Sequence, residues 1–167
     1  MKTYVLDASA LVTFFEDRPG ADKIEELLLK ETHAKRALLM SVVNWGEVYY
    51  SILRSHGENV ARAKLHEIAQ LPIHVVGADM ELAQLAATLK ARHNLPYTEC
   101  FAAALAQTRN ATLVTSVTDF AHGGTALKTL LVRGGDVRCR RGAQQIANAS
   151  EPCAAREPKS VNLINQQ

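Results

Sequence analysis

The sequence is poor in cysteine, and the three it has, Cys100, Cys139 and Cys153, form no CxxC pair and leave one over in any disulfide scheme. That excludes a disulfide-stapled scaffold and a zinc ribbon, and leaves reduced thiols as the plain reading. The six histidines are scattered, with no HxxxH pair and no cysteine at ligand spacing, so a zinc enzyme is not expected. No apolar stretch approaches the roughly 20 residues needed to cross a bilayer, and the opening run carries carboxylates within and after it. A cytoplasmic chain, neither secreted nor membrane-bound, is the expectation. The glycine-rich phosphate-binding patterns GxGxxG and GxxxxGK[ST] are missing, which disfavours a small-molecule-binding α/β domain of the nucleotide kind.

Strong charge of one sign is lacking as well. The net charge is +2 over 167 residues, and it is unevenly placed. Residues 133–167 carry six Lys/Arg and three Asp/Glu, which leaves thirteen basic and fourteen acidic residues in 1–132. Any nucleic-acid affinity of the first 132 residues must therefore come from a local patch or a metal site, because bulk charge does not supply it. The composition is 47% apolar and 22% charged, which suits one ordinary globular domain with a full core.

Along the chain, short apolar runs alternate with helical periodicity. Thr3–Leu6 reads as a strand running into Asp7-Ala8-Ser9 and an apolar helix from Ala10 to Phe15. After Arg18-Pro19-Gly20, Ile24, Leu27 and Leu28 mark one face of a second helix. Leu38–Val43 has strand length and is followed by Asn44-Trp45-Gly46-Glu47 and a helix through Arg54, repeating the first junction. Ala61, Leu65 and Ile68 mark a helix over Glu58–Gln70, and Ile73–Val76 reads as a third strand. Leu82, Leu85, Ala86 and Leu89 mark another helix, closed before Pro96. Phe101–Ala106 is apolar and helical, and Thr112–Thr115 gives a fourth strand. Alternation of this kind predicts a parallel sheet covered on both faces, with ligands gathering at the carboxyl ends of its strands. Beyond Val132 no apolar periodicity is sustained, so residues 133–167 are expected to form a disordered basic tail behind a domain at 1–132.

The acidic residues at those strand ends are the site candidates, although each has a plainer explanation alone. Asp7 and Ser9 suit a helix cap. Asn44 with Glu47 three residues on fits a capping box. Glu99 follows Pro96 near a helix start, where the helix dipole favours a carboxylate. Asp119 could be a polar turn residue. Together they say more, because carboxylates at corresponding junctions of one sheet converge on one pocket. Such a cluster repels itself unless a cation neutralises it, and an all-oxygen set suits Mg²⁺ or Mn²⁺. Ions so held orient water and stabilise charge on phosphate oxygens, the usual apparatus of phosphodiester cleavage.

Four ordered phrases carry a resemblance: Val5–Leu11, Ser41–Val48, Leu95–Ala106 and Ala111–Thr115. In order and spacing they resemble the signatures of PIN domains of the bacterial VapC toxin kind, over roughly residues 2–120. The resemblance implies a three-layer α/β/α sandwich with a central parallel sheet. It implies a Mg²⁺- or Mn²⁺-dependent endoribonuclease, the toxin of a type II toxin-antitoxin system, inhibited by a VapB-type antitoxin and homodimeric. By position, Asp7, Glu47 and Glu99 match the family's catalytic and metal-site acids, Asp119 is a further candidate ligand, and Ser9 and Thr115 match supporting hydroxyls.

The chain also departs from that pattern. Glu99 stands where the family usually has Asp, adding one methylene of reach. Thr115-Ser116-Val117-Thr118-Asp119-Phe120 replaces a Thr-Gly-Asp-x-Asp-Phe run, so Val117 occupies an acid's place. These changes favour an alternative, a catalytically impaired PIN domain serving as an antitoxin- or RNA-binding module. Leu130-Leu131-Val132 is only a short apolar remnant where the family ends on another strand, and the final edge strand is doubtful.

Overall fold

Five strands, β1 (Tyr4–Leu6), β2 (Leu38–Ser41), β3 (Ile73–Val76), β4 (Thr112–Thr115) and β5 (Thr129–Leu131), form one sheet in the order β3-β2-β1-β4-β5. Every neighbouring pair is parallel. The helices are α1 (Ala8–Phe15), α2 (Ala21–His33), α3 (Val42–Ala69), α4 (Met80–Arg92) and α5 (Tyr97–Thr108). The computed structural model describes residues 2–93, 95–118 and 127–132. The expected tail at 133–167 and Asp119 lie outside them.

The period of two along each strand divides the apolar side chains between two cores. In β1 and β4, Leu6 and Val114 enter the core built with α1, α2 and α3. Val5 and Leu113, one residue earlier, enter the core built with α4 and α5. Val5 pairs with Leu113 and Leu6 with Val114, so the two strands present matched faces and the sheet is the middle of three layers. Helix α5 is buried at every residue from Cys100 to Ala106, the pattern of a helix packed all round.

The chain turns from β1 outward through β2 and β3, then returns to the other side of β1 with β4 and β5. The connections therefore leave the β1–β4 edge in opposite directions, which opens a crevice at the carboxyl ends of those two strands.

Several local expectations need correction. The edge strand in doubt is present: Thr129–Leu131 pairs with Leu113–Thr115, and Val132 donates its N–H to the Thr115 carbonyl at 2.9 Å. Three residues suffice because β4 supplies the ladder. Strand β2 stops at Ser41 rather than Val43, because the Ser41 hydroxyl accepts the Val43 N–H at 3.2 Å and starts α3 there. Asn44 is thus inside the helix and does not cap it. The two helices expected on either side of residue 57 run on as α3, but Gly57 sits at φ 79° and ψ 175° and breaks the helical path, a conformation open to glycine at little cost.

Candidate functional site

Asp7 follows the last residue of β1, and its extended backbone makes it the N-cap of α1. Its N–H donates to the Val114 carbonyl at 3.0 Å, which fixes it against the end of β4. The carboxylate is 1% exposed and takes four donors. Oδ1 accepts from the Ala8 N–H at 2.8 Å and from Asn44 Nδ2 at 3.1 Å. Oδ2 accepts from Ser9 Oγ at 2.6 Å and Thr115 Oγ1 at 2.9 Å. Each hydroxyl has one proton, and both go to Asp7. Their free lone pairs then accept backbone N–H groups of the loop after β4, Ser116 onto Ser9 at 3.2 Å and Val117 onto Thr115 at 3.1 Å. Burial pushes the Asp7 carboxyl above the ordinary carboxylate range, and these hydrogen bonds offset it only in part.

Glu47 lies in the second turn of α3. Burial raises its carboxyl, the Thr98 hydroxyl lowers it by hydrogen bonding, and repulsion from Asp7 raises it further. Glu99 is in the first turn of α5. Asp7, Glu47 and Glu99, carried by three different elements, line one cleft of about 230 Å³ together with Ser9, Arg18 and Tyr50. Four of the six sequence-predicted residues therefore line this cleft. Thr115 stands behind Asp7 as a donor, and Asp119 lies outside the described residues. Val117 packs its side chain against the α4–α5 core and offers no oxygen.

Sequence reasoning missed Asn44. It is fully buried, and its Nδ2 spends both protons, one on Asp7 and one on the Thr98 carbonyl at 3.0 Å. The amide thus ties the end of β1 to the first turn of α5. With two acceptors facing Nδ2, the amide orientation is fixed, and Oδ1 is left buried without a hydrogen-bond partner. The signal was in the sequence: had Ser41 been taken as the cap, Asn44 and Glu47 would fall on one helical face at i and i+3. Thr98, which serves Asn44 through its carbonyl and Glu47 through its hydroxyl, gave no such signal.

The donor set is all oxygen and self-repelling, which suits a hard divalent cation. Among the described residues, no three Asp, Glu, His or Cys side chains are gathered closely enough to enclose an ion. A Mg²⁺ ion keeps several of its waters and needs only one or two direct carboxylates.

A family model, PIN domain, matches residues 4–124. The chain belongs to the PIN-domain family. Solved structures similar to this PIN domain include a toxin-antitoxin complex from Klebsiella pneumoniae, at 20% identity and a TM-score of 0.59, covering 79% of this chain and 99% of that one. DNA-bound VapBC from Salmonella typhimurium is 16% identical with a TM-score of 0.61, over 78% of this chain and 98% of that one. VapC20 from Mycobacterium tuberculosis, a sarcin-ricin-loop-cleaving toxin, is 16% identical with a TM-score of 0.54, over 74% and 97% respectively. At these identities the likeness establishes the fold. No curated protein sequence matches the chain. PIN domains are in general nucleases, and among the described residues no helix is long and apolar enough to cross a membrane.

Proposed function

We propose that this PIN domain is a Mg²⁺- or Mn²⁺-dependent endoribonuclease, the cytoplasmic toxin of a type II toxin-antitoxin pair, with Asp7, Glu47 and Glu99 as its catalytic and metal-holding acids. The observation that carries this reading is the meeting of those carboxylates in one cleft at the β1–β4 crevice. Asp7 is the anchor, because its four donors fix its orientation before any ligand arrives. Ser9 and Thr115 keep it there and tie it to the loop after β4. Asp119 is a further candidate ligand. When bound, a divalent ion lowers the pKa of a water and neutralises charge on the scissile phosphate.

A VapB-type antitoxin is the partner we expect, along with a homodimer, in keeping with the toxin-antitoxin complexes that share the fold. Residues 1–132 would carry the activity, and removal of 136–167 should leave cooperative unfolding unchanged. The second reading, a PIN domain that binds RNA or antitoxin without cleaving, draws on Val117, which turns an acid's position into part of the apolar core. Mn²⁺ titration followed by RNA cleavage with purified protein separates the two. Cleavage that needs Mn²⁺ and vanishes in Asp7→Asn supports the enzyme; RNA binding without cleavage at any metal concentration supports the binding module.

A further inference from the structure

Charge in this domain is sorted along the strand direction. The carboxyl ends of the strands open on Asp7, Glu47 and Glu99. Because every neighbouring pair of strands is parallel, the residues that lead into the strands share the opposite end of the sheet. Those leads, residues 2–3, 34–37, 70–72, 109–111 and 127–128, hold Lys2, Lys35, Arg36, Arg109 and Lys128 and no Asp or Glu. Arg36 is spent on the buried Glu31, to which it donates from Nε at 2.7 Å and Nη2 at 2.9 Å. The other four are exposed, and among the described residues none of them is in an ion pair.

The sheet register lines these four cations up. Val5 pairs with Leu39, Tyr4 with Thr112 and Leu113 with Thr129, so β2, β1 and β4 begin at one level and Lys128 stands level with Thr112. The Thr3 carbonyl accepts the Thr112 N–H and the Lys128 carbonyl accepts the Leu113 N–H, each at 2.8 Å, which ties three of the leads together. The cations thus precede four adjacent strands, β2-β1-β4-β5, and form a rim about 14 Å wide at the usual strand spacing. A plainer cause covers two of them: Lys35 and Arg109 follow the ends of α2 and α5, where the helix dipole favours a cation. Lys2 and Lys128 stand directly before β1 and β5, where no described helix ends. Bulk charge covers none of it, since residues 1–132 hold thirteen basic and fourteen acidic residues.

A polyanion fits such a rim. Phosphates recur about every 3.4 Å along one strand of a nucleic-acid helix, so the rim faces about four of them. Resting on the ribonuclease reading above for the choice of polyanion, we infer that this rim is a second RNA contact, which holds the phosphate backbone of a long RNA at the end of the sheet opposite the acidic cleft.

The test uses the full chain with Lys2→Gln, Lys35→Gln, Arg109→Gln and Lys128→Gln combined, and a second variant with only Lys2→Gln and Lys128→Gln, which leaves the helix ends alone. Affinity for a long folded RNA is read by anisotropy in EDTA over a range of salt concentrations. The slope of log Kd against log salt should fall by about three in the fourfold variant and by about half that in the double variant, at roughly 0.7–0.9 per phosphate contact. At moderate salt the fourfold variant should bind on the order of tenfold more weakly. Cleavage of a tetranucleotide with Mn²⁺, too short to reach from the cleft to the rim, should keep its kcat/KM. Unchanged slopes in both variants would overturn the inference, as would an equal loss on the tetranucleotide, or a loss confined to binding of polyglutamate, which would assign the rim to an acidic protein. A chain that cleaves RNA with unchanged slopes loses this inference alone. One that binds RNA through the rim and cleaves nothing keeps it and loses the ribonuclease reading.

Discussion

At the β1–β4 corner, Asp7 is buried and takes four donors from four residues, whereas Glu47 has the Thr98 hydroxyl and only partial burial. One wall of the cleft is rigid and the other adjustable. The difference follows from chain geometry. A short acid capping a helix at the end of a central strand is surrounded by backbone and neighbouring strand ends, while a glutamate on a helix reaches across the cleft on three rotatable bonds. The sheet thus sets one fixed carboxylate, and α3 and α5 bring two with longer reach, including Glu99.

The hardest way to break the comparison is to remove charge from the rigid wall. Asp7→Asn keeps a good cap but should abolish Mn²⁺-dependent cleavage, by at least about 100-fold, the loss that a small misplacement at a reacting centre already produces. Circular dichroism should show the fold intact; unchanged cleavage would rule this site out. The same substitution tests the pKa directions. Asp7 and Glu47 are both raised, so the folded metal-free protein keeps protons that the unfolded chain releases. Stability from this source is full below the ordinary carboxylate range and is lost as pH rises through the raised folded values. In EDTA, Tm should fall across that window, and Asp7→Asn should flatten the fall. A Tm that rises there instead would contradict the assignment.

A milder break leaves Asp7 in place and cuts its tie to α5. Asn44→Leu strands the Thr98 carbonyl and takes one donor from Asp7, at a cost of about 1–3 kcal/mol in stability by denaturant titration. Because about 1 Å of misplacement costs on the order of 100-fold in rate, cleavage by the folded protein should drop roughly tenfold. A variant with full specific activity would show that the tie serves folding alone.

The comparison is sharpened by rebuilding the adjustable wall. Glu99→Asp with Val117→Asp shortens one acid and supplies another, and should raise both Mn²⁺ affinity and cleavage by a few fold. Val117 packs against the apolar α4–α5 core, so the metal-free double variant should melt lower and recover with Mn²⁺. No gain in either metal binding or rate would mean that residues 99 and 117 do not lie where an added acid can reach the site. The smallest effect belongs to a position away from both walls. Gly57→Ala meets no atom within 4 Å but must hold φ at 79°, which costs about 1 kcal/mol, and it should leave cleavage unchanged; an activity loss would tie the break in α3 to the site.

Much of this was legible in the residues themselves. Val5, Leu6, Leu113 and Val114 are apolar runs bounded by polar junctions, and burial on both sheet faces is what such runs require; the parallel sheet and the placing of Asp7, Glu47 and Glu99 at its mouth follow from them. The edge strand was poorly legible because Thr129–Leu131 is short and gains its order from pairing with β4, a contact that no local pattern encodes. Asn44 was misread because capping is a local signal that both Ser41 and Asn44 satisfy, and only the register of β2 against its neighbours decides between them. The sequence by itself determined the elements other than the edge strand β5, and which acids they carry, since periodicity and capping act within a few residues. Tertiary structure alone decided that Asn44 and Thr98 join β1, α3 and α5 around those acids, and that Tyr50 stands exposed at their side, because hydrogen bonds between distant residues depend on how the layers pack.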